Sequence, residues 1–236
     1  MLITASGQYG GEHRSFCRSM ISSGYQCGAR PAGPNSMECM NHEFRSGHCR
    51  RVADGHTCRG ASDQAALEAL AERRGRALDT HGIAIVQMGG ATNIGRFLRL
   101  FGPRGLGVRL AGLCDAAEEG YFRRALERAG FGSGLSRADM EALGFYVCTP
   151  DLEDELIRAL GVASVEHIIQ AHGEIRSFRV LQKQPAQQGQ SPERRLHRFM
   201  GTRAGRKSQY ARLLVDALDL ARVPRPLDRV LAHSTR

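Results

Sequence analysis

The chain has 236 residues, 42% hydrophobic and 24% charged, which is enough for one well-buried domain with an appendage or for two small ones. No stretch approaches the roughly 18 uninterrupted apolar residues of a membrane span, and the opening MLITASGQYGGEHRSF lacks the basic-then-apolar order of a secretory signal, so a cytoplasmic protein with no membrane partner is expected. The formal net charge of +9 is concentrated late, where residues 176–236 hold 14 Lys or Arg against 4 Asp or Glu, a balance that suits a polyanion such as nucleic acid and equally a solvated basic surface.

Residues 1–58 follow neither a helical nor a strand period and carry few aliphatic side chains, so they are expected to be poorly ordered. Five of the seven cysteines (Cys17, Cys27, Cys39, Cys49, Cys58) fall here without a C-x-x-C pair. Zinc sites use close ligand pairs, so His13, His42, His48 and His56 nearby do not make a zinc centre the preferred reading.

The pattern changes at Ser62. SDQAALEALAERRGRALD opens on a Ser/Asp start signal and spaces Ala66, Leu67, Leu70, Ala71 and Leu78 as a helix. GIAIVQM is an apolar run of strand length, and GGATNIGRFLRLFG then puts Ile94, Phe97, Leu98 and Phe101 on one helical face. GVRLAGLCD reads as a strand ending in an acid, AEEGYFRRALERAG as a helix closed by Gly130, and LGFYVCTP as a short strand. DLEDELIRALG starts a helix on an acidic cluster; beyond Gly161 the chain reads as helical, with a Gln-rich loop over 182–193 and a last Arg-rich helix in GTRAGRKSQYARLLVDAL. Alternating helices and strands predict a mostly parallel sheet covered on both faces.

Asp115 and Asp151 then stand at the carboxyl ends of two strands, the edge at which open α/β sheets hold ligands, and Asp63 opens the first helix. With Glu118, Glu119, Glu153, Asp154 and Glu155 they form acidic clusters that repel unless a cation neutralises them. Mg²⁺ takes such oxygen ligands and leaves positions open for phosphate oxygens. A single acid of this kind more simply complements a helix dipole; three at one sheet edge favour metal. Lys207 is one of only two lysines, with Lys183, among many arginines. It suits contact with a scissile phosphate and equally an exposed position. GTRAGRKS is not a P-loop, because Arg206 rather than Gly precedes Lys207 and ERRLHRFM upstream reads as helix. Gly89-Gly90 serves either a tight turn or close approach of a phosphate.

Taken in order, GASDQAALEALA, VQMGGATNIGRF, LAGLCDAAEEGYF, CTPDLEDELIRAL and GTRAGRKSQYARLL resemble the TOPRIM domain of OLD-family ATP-dependent endonucleases over residues 59–232. The resemblance implies a Rossmann-like α/β domain over 59–160, a basic helical extension over 161–236 that completes the site, and Mg²⁺- or Mn²⁺-dependent cleavage of DNA. It implies that Asp63, Asp115, Glu118, Asp151 and Glu153 lie at the metal and that Lys207 stabilises the transition state. Larger members carry an ABC-type ATPase domain; this chain has no P-loop, so any such ATPase is expected as a separate protein, and homodimerisation is left open. One departure bears on activity. The family's first strand ends in an aliphatic run and Glu-Gly, whereas this chain has His56-Thr57-Cys58-Arg59-Gly60. The sheet is therefore expected to lose a central strand, and an inactive binding module is the alternative. Codons for Cys58-Arg59 can spell Val-Glu one base later, so a shifted frame or misplaced start over 1–58 is one account of the departure.

Overall fold

Fourteen helices and strands make up the described fold, a computed structural model that describes the backbone of residues 2–6 and residues 60–78, 80 and 82–234. In chain order they are β1 (Leu2–Ser6), α1 (Ala61–Arg73), β2 (Ile83–Gln87), α2 (Ile94–Phe101), β3 (Arg109–Asp115), α3 (Glu119–Arg128), α4 (Arg137–Ala142) and β4 (Phe145–Cys148). The helices α5 (Leu152–Leu160), α6 (Val162–Ala171), α7 (Ile175–Gln182), α8 (Pro192–Met200), α9 (Arg206–Ala217) and α10 (Arg225–Ser234) follow.

The strands form one sheet in the order β2-β1-β3-β4. β3 and β4 are parallel, while β1 is antiparallel to both β2 and β3. It follows that β2, β3 and β4 run the same way and their carboxyl ends share one edge. The position beside β3 is not lost, contrary to expectation: Leu2–Ser6 fills it, pairing on both sides. A ladder is made by main-chain groups, so a five-residue segment can be recruited without a long alternating pattern. Residues 7–59, with Arg59, the five early cysteines and the reading-frame question, lie outside the described residues.

Strand alternation divides the core. Ala111 and Leu113 of β3 and Tyr146 and Cys148 of β4 face a large cluster with Leu67 and Leu70 of α1, Leu156 of α5, Leu214 of α9 and Val230 of α10. α1 packs along α9. On the other face Phe122 of α3 meets Phe145 edge-to-face at 6.0 Å, and α2 lies beside α3. Each fully buried Leu contributes about 2 kcal/mol of transfer free energy, so Leu67 and Leu70 alone fix the buried side of α1.

Some boundaries differ from the sequence reading. α1 stops at Arg73 rather than near Asp79, because Gly75 takes φ +64° and the Arg76 N–H returns to the Ala71 carbonyl at 2.9 Å. α4 and α10 were not separately expected. α4 is short but closed by a capping box between Ser136 and Asp139, and α10 buries Leu227, Val230 and Leu231. In the Gln-rich stretch, Pro185–Gln187 make one 3-10 turn before Ser191 caps α8. No helix among the described residues is long and apolar enough to cross a membrane.

Candidate metal centre

The parallel pair β3–β4 places two acids side by side. Asp115 ends β3 opposite Cys148, the last residue of β4. Just beyond, the Ala116 N–H donates to the Pro150 carbonyl at 3.0 Å, tying the two following loops together. Asp151 then caps α5: its Oδ1 accepts the Asp154 N–H at 3.0 Å. Its Oδ2 lies 2.7 Å from His197 Nε2, and an Asp154 oxygen lies 3.9 Å from the same nitrogen. One atom each from Asp151, Asp154 and His197 lie within 4.8 Å of one another, a spacing that can hold a metal ion.

Glu153, in the first turn of α5, turns inward. One of its oxygens is 3.4 Å from Lys207 Nζ. The other, Oε1, is buried with no hydrogen-bond partner among the described residues. Asp63, in the first turn of α1, is also buried, at 6% exposure. Glu118 closes the 3-10 turn that follows Asp115.

The charges of these groups act on one another. Burial, with the charges of Glu153 and Glu118 added, pushes the Asp63 carboxyl up. Burial and the neighbouring Asp63, Glu118 and Asp151 push Asp115 up to about 7. Asp154 is raised by burial and by Asp151. Asp151 goes the other way: burial opposes its charge, but the His197 ring and the Asp154 N–H hold it below the usual carboxylate range. The same contact, against burial, raises His197. Lys207 loses charge stability to burial and regains more from Glu153 and Asp151, so it stays firmly cationic.

Asp63, Asp115, Glu118, Asp151, Glu153 and Lys207, all singled out in the sequence, are thus brought into one electrostatic neighbourhood. Asp154 and His197 join them; the first was visible only as part of an acidic run, and the second gave no local signal at all. The donor set fits a divalent cation. It is rich in carboxylate oxygen, and a buried Glu153 oxygen with no hydrogen-bond partner among the described residues, near the raised Asp115 carboxyl, favours a further positive charge.

Comparison with known proteins agrees with the fold. Residues 59–116 match the family model of the Overcoming lysogenization defect protein-like TOPRIM domain. The C-terminal region of the Burkholderia pseudomallei OLD protein superposes with a TM-score of 0.57 at 21% identity, covering 75% of this chain and 93% of that one. The C-terminal region of the Xanthomonas campestris pv. campestris OLD protein, in a platinum-phased structure, gives 0.59 at 23% identity, covering 75% and 88%. Among curated proteins no significant sequence match is found. The chain therefore carries an OLD-like TOPRIM signature over residues 59–116, and its fold is that of the C-terminal region of OLD proteins.

Proposed function

We propose that the chain hydrolyses phosphodiester bonds in DNA with Mg²⁺ or Mn²⁺ held among Asp63, Asp115, Glu118, Asp151 and Glu153, assisted by Lys207. The observation that carries this reading is Glu153. A buried carboxylate with one oxygen on Lys207 and the other with no hydrogen-bond partner among the described residues, beside Asp115, whose charge burial opposes, favours a cation in the site. A bound divalent ion supplies electrostatic stabilisation of phosphate oxygens and a more acidic water.

The protein's own groups have separate tasks. Lys207 points a permanent charge at the acid cluster, where it can donate to a phosphoryl oxygen that gains charge. His197 donates through Nε2 to Asp151 Oδ2 and so fixes the orientation of that carboxylate, leaving Oδ1 on the Asp154 N–H. DNA is the proposed partner, with a separately encoded ABC-type ATPase as a second and a homodimer as an assembly to be measured. A cytoplasmic setting fits this reading.

The alternative is an inactive nucleic-acid- or partner-binding module, and Arg59 at the position of the family's Glu favours it. Supercoiled plasmid incubated with Mn²⁺ or Mg²⁺ separates the two. Metal-dependent nicking is expected, falling by on the order of 10²-fold or more in Asp115→Ala, since several kcal/mol of transition-state stabilisation is removed. Nicking that appears only in Arg59→Glu assigns the loss to that one residue. Silence from both folded proteins supports the binding module.

A further inference from the structure

A cleft of about 400 Å³ lies between α2 and α3, lined by Thr92, Arg99, Tyr121, Arg124 and Arg128. Since β2 and β3 run the same way, both helices start at the sheet edge that carries Asp115 and lead away from it. Tyr121 lies only three residues past Glu118, near that edge, and Arg128 lies about 10 Å farther along the helix. Arg99, Arg124 and Arg128 are exposed, and none forms an ion pair with a carboxylate among the described residues. Tyr121 is 48% exposed, a large ring facing solvent, with the Arg124 guanidinium 5.1 Å from its centroid. Three uncompensated arginines beside an exposed aromatic ring are the pairing that holds a nucleic-acid strand: cations for backbone phosphates and a π-face for a base. The volume is that of a site for a nucleotide-sized group and far too small for a duplex.

We infer that this cleft binds an unpaired DNA strand next to the metal centre, with a base on Tyr121 and phosphates along Arg124, Arg128 and Arg99. The inference rests on the proposed action on DNA and narrows its substrate to DNA with a single-stranded segment at the cut. The test is equilibrium binding of labelled single-stranded and duplex oligonucleotides to the full chain in chelator, by fluorescence anisotropy across a salt series. Each lost phosphate contact lowers the log–log salt slope by about 0.7 on a single strand, so Arg99→Ala/Arg124→Ala/Arg128→Ala should flatten it by roughly 2. Tyr121→Ala should weaken single-strand binding by on the order of tenfold while leaving duplex binding nearly unchanged. A control triple, Arg176→Ala/Arg179→Ala/Arg222→Ala, removes the same charge at other exposed arginines. Equal flattening by the control overturns the assignment, as does a Tyr121→Ala effect that is absent or equal for duplex; circular dichroism and thermal melts establish that each variant is folded. Binding is read without turnover, so cleft-dependent binding by a chain that cuts nothing would sink the nuclease reading and leave this one standing.

Discussion

Glu153 sets the terms at the scale of single residues. Its Oε1 is buried with no hydrogen-bond partner among the described residues, and its other oxygen shares Lys207 with the charges of Asp151 and Asp115. A cation that binds only the folded state stabilises it by about 2.7 kcal/mol at a hundredfold excess over Kd, or roughly 5–10 °C in melting temperature for a protein of this size. Saturating Mn²⁺ is therefore expected to raise the melting temperature by that amount over chelator, and Glu153→Gln to abolish most of the rise. An unchanged melt of the parent protein with Mn²⁺ would count against the metal centre. The acids were legible in the sequence because each follows a strand or opens a helix, positions that topology carries to one edge. His197 was not. It reaches Asp151 from 46 residues away, on a helix whose own pattern speaks only of packing Leu196, Phe199 and Met200.

Among elements, α9 shows how a helix start is held. Arg206 is buried, with its guanidinium 4.2 Å from the centroid of the Phe199 ring, one nitrogen 3.2 Å from the Phe199 carbonyl and another 2.8 Å from Glu174. Tyr210, one turn on, donates to the second Glu174 oxygen at 2.9 Å. Lys207 follows Arg206 directly, so this clasp sets where its ammonium goes. Burial works against the Glu174 charge, but the Arg206 and Tyr210 hydrogen bonds outweigh it and hold the carboxyl below the usual range. Its contribution is therefore complete above the ordinary carboxylate range and disappears as pH falls through the lowered folded value. Glu174→Gln should cost on the order of 1.5–3 kcal/mol near neutral pH and flatten the acid limb of stability against pH, both measurable by urea denaturation. At α4, Ser136→Ala should cost about 1 kcal/mol through the lost cap. That helix had a readable start, Ser136 three residues before Asp139, but six residues with Met140 as the buried side chain gave no period to find.

For the whole molecule, the repeating helix–strand order from Ser62 to Gly161 foretold three strands of common direction, because hydrophobic period and turn glycines were both explicit there. β1 could not be foretold. Leu2–Ser6 opens a stretch that otherwise lacks a period, and its role depends on a gap between β2 and β3 that only the assembled sheet reveals. Among the described residues β2 has no strand neighbour other than β1, so proline at Thr4, which removes a ladder N–H from a central strand, should loosen β2 as well. Hydrogen exchange should show protection lost over Ile83–Gln87 while α9 keeps its own.

The same central strand has a consequence for how the chain reaches its native state. Its ladders join Leu2 to Gln87 and to Leu113, closing loops of roughly 80 and 110 residues. Contacts that distant in sequence slow folding, and the α1–α9 contacts, 142 residues apart at Arg73 and Val215, carry the same cost. Until β1 docks, the inner flanks of β2 and β3 stay open to any other strand in solution. Refolding yield should therefore drop as protein concentration rises, with intermolecular pairing taking the place meant for the chain's own second to sixth residues.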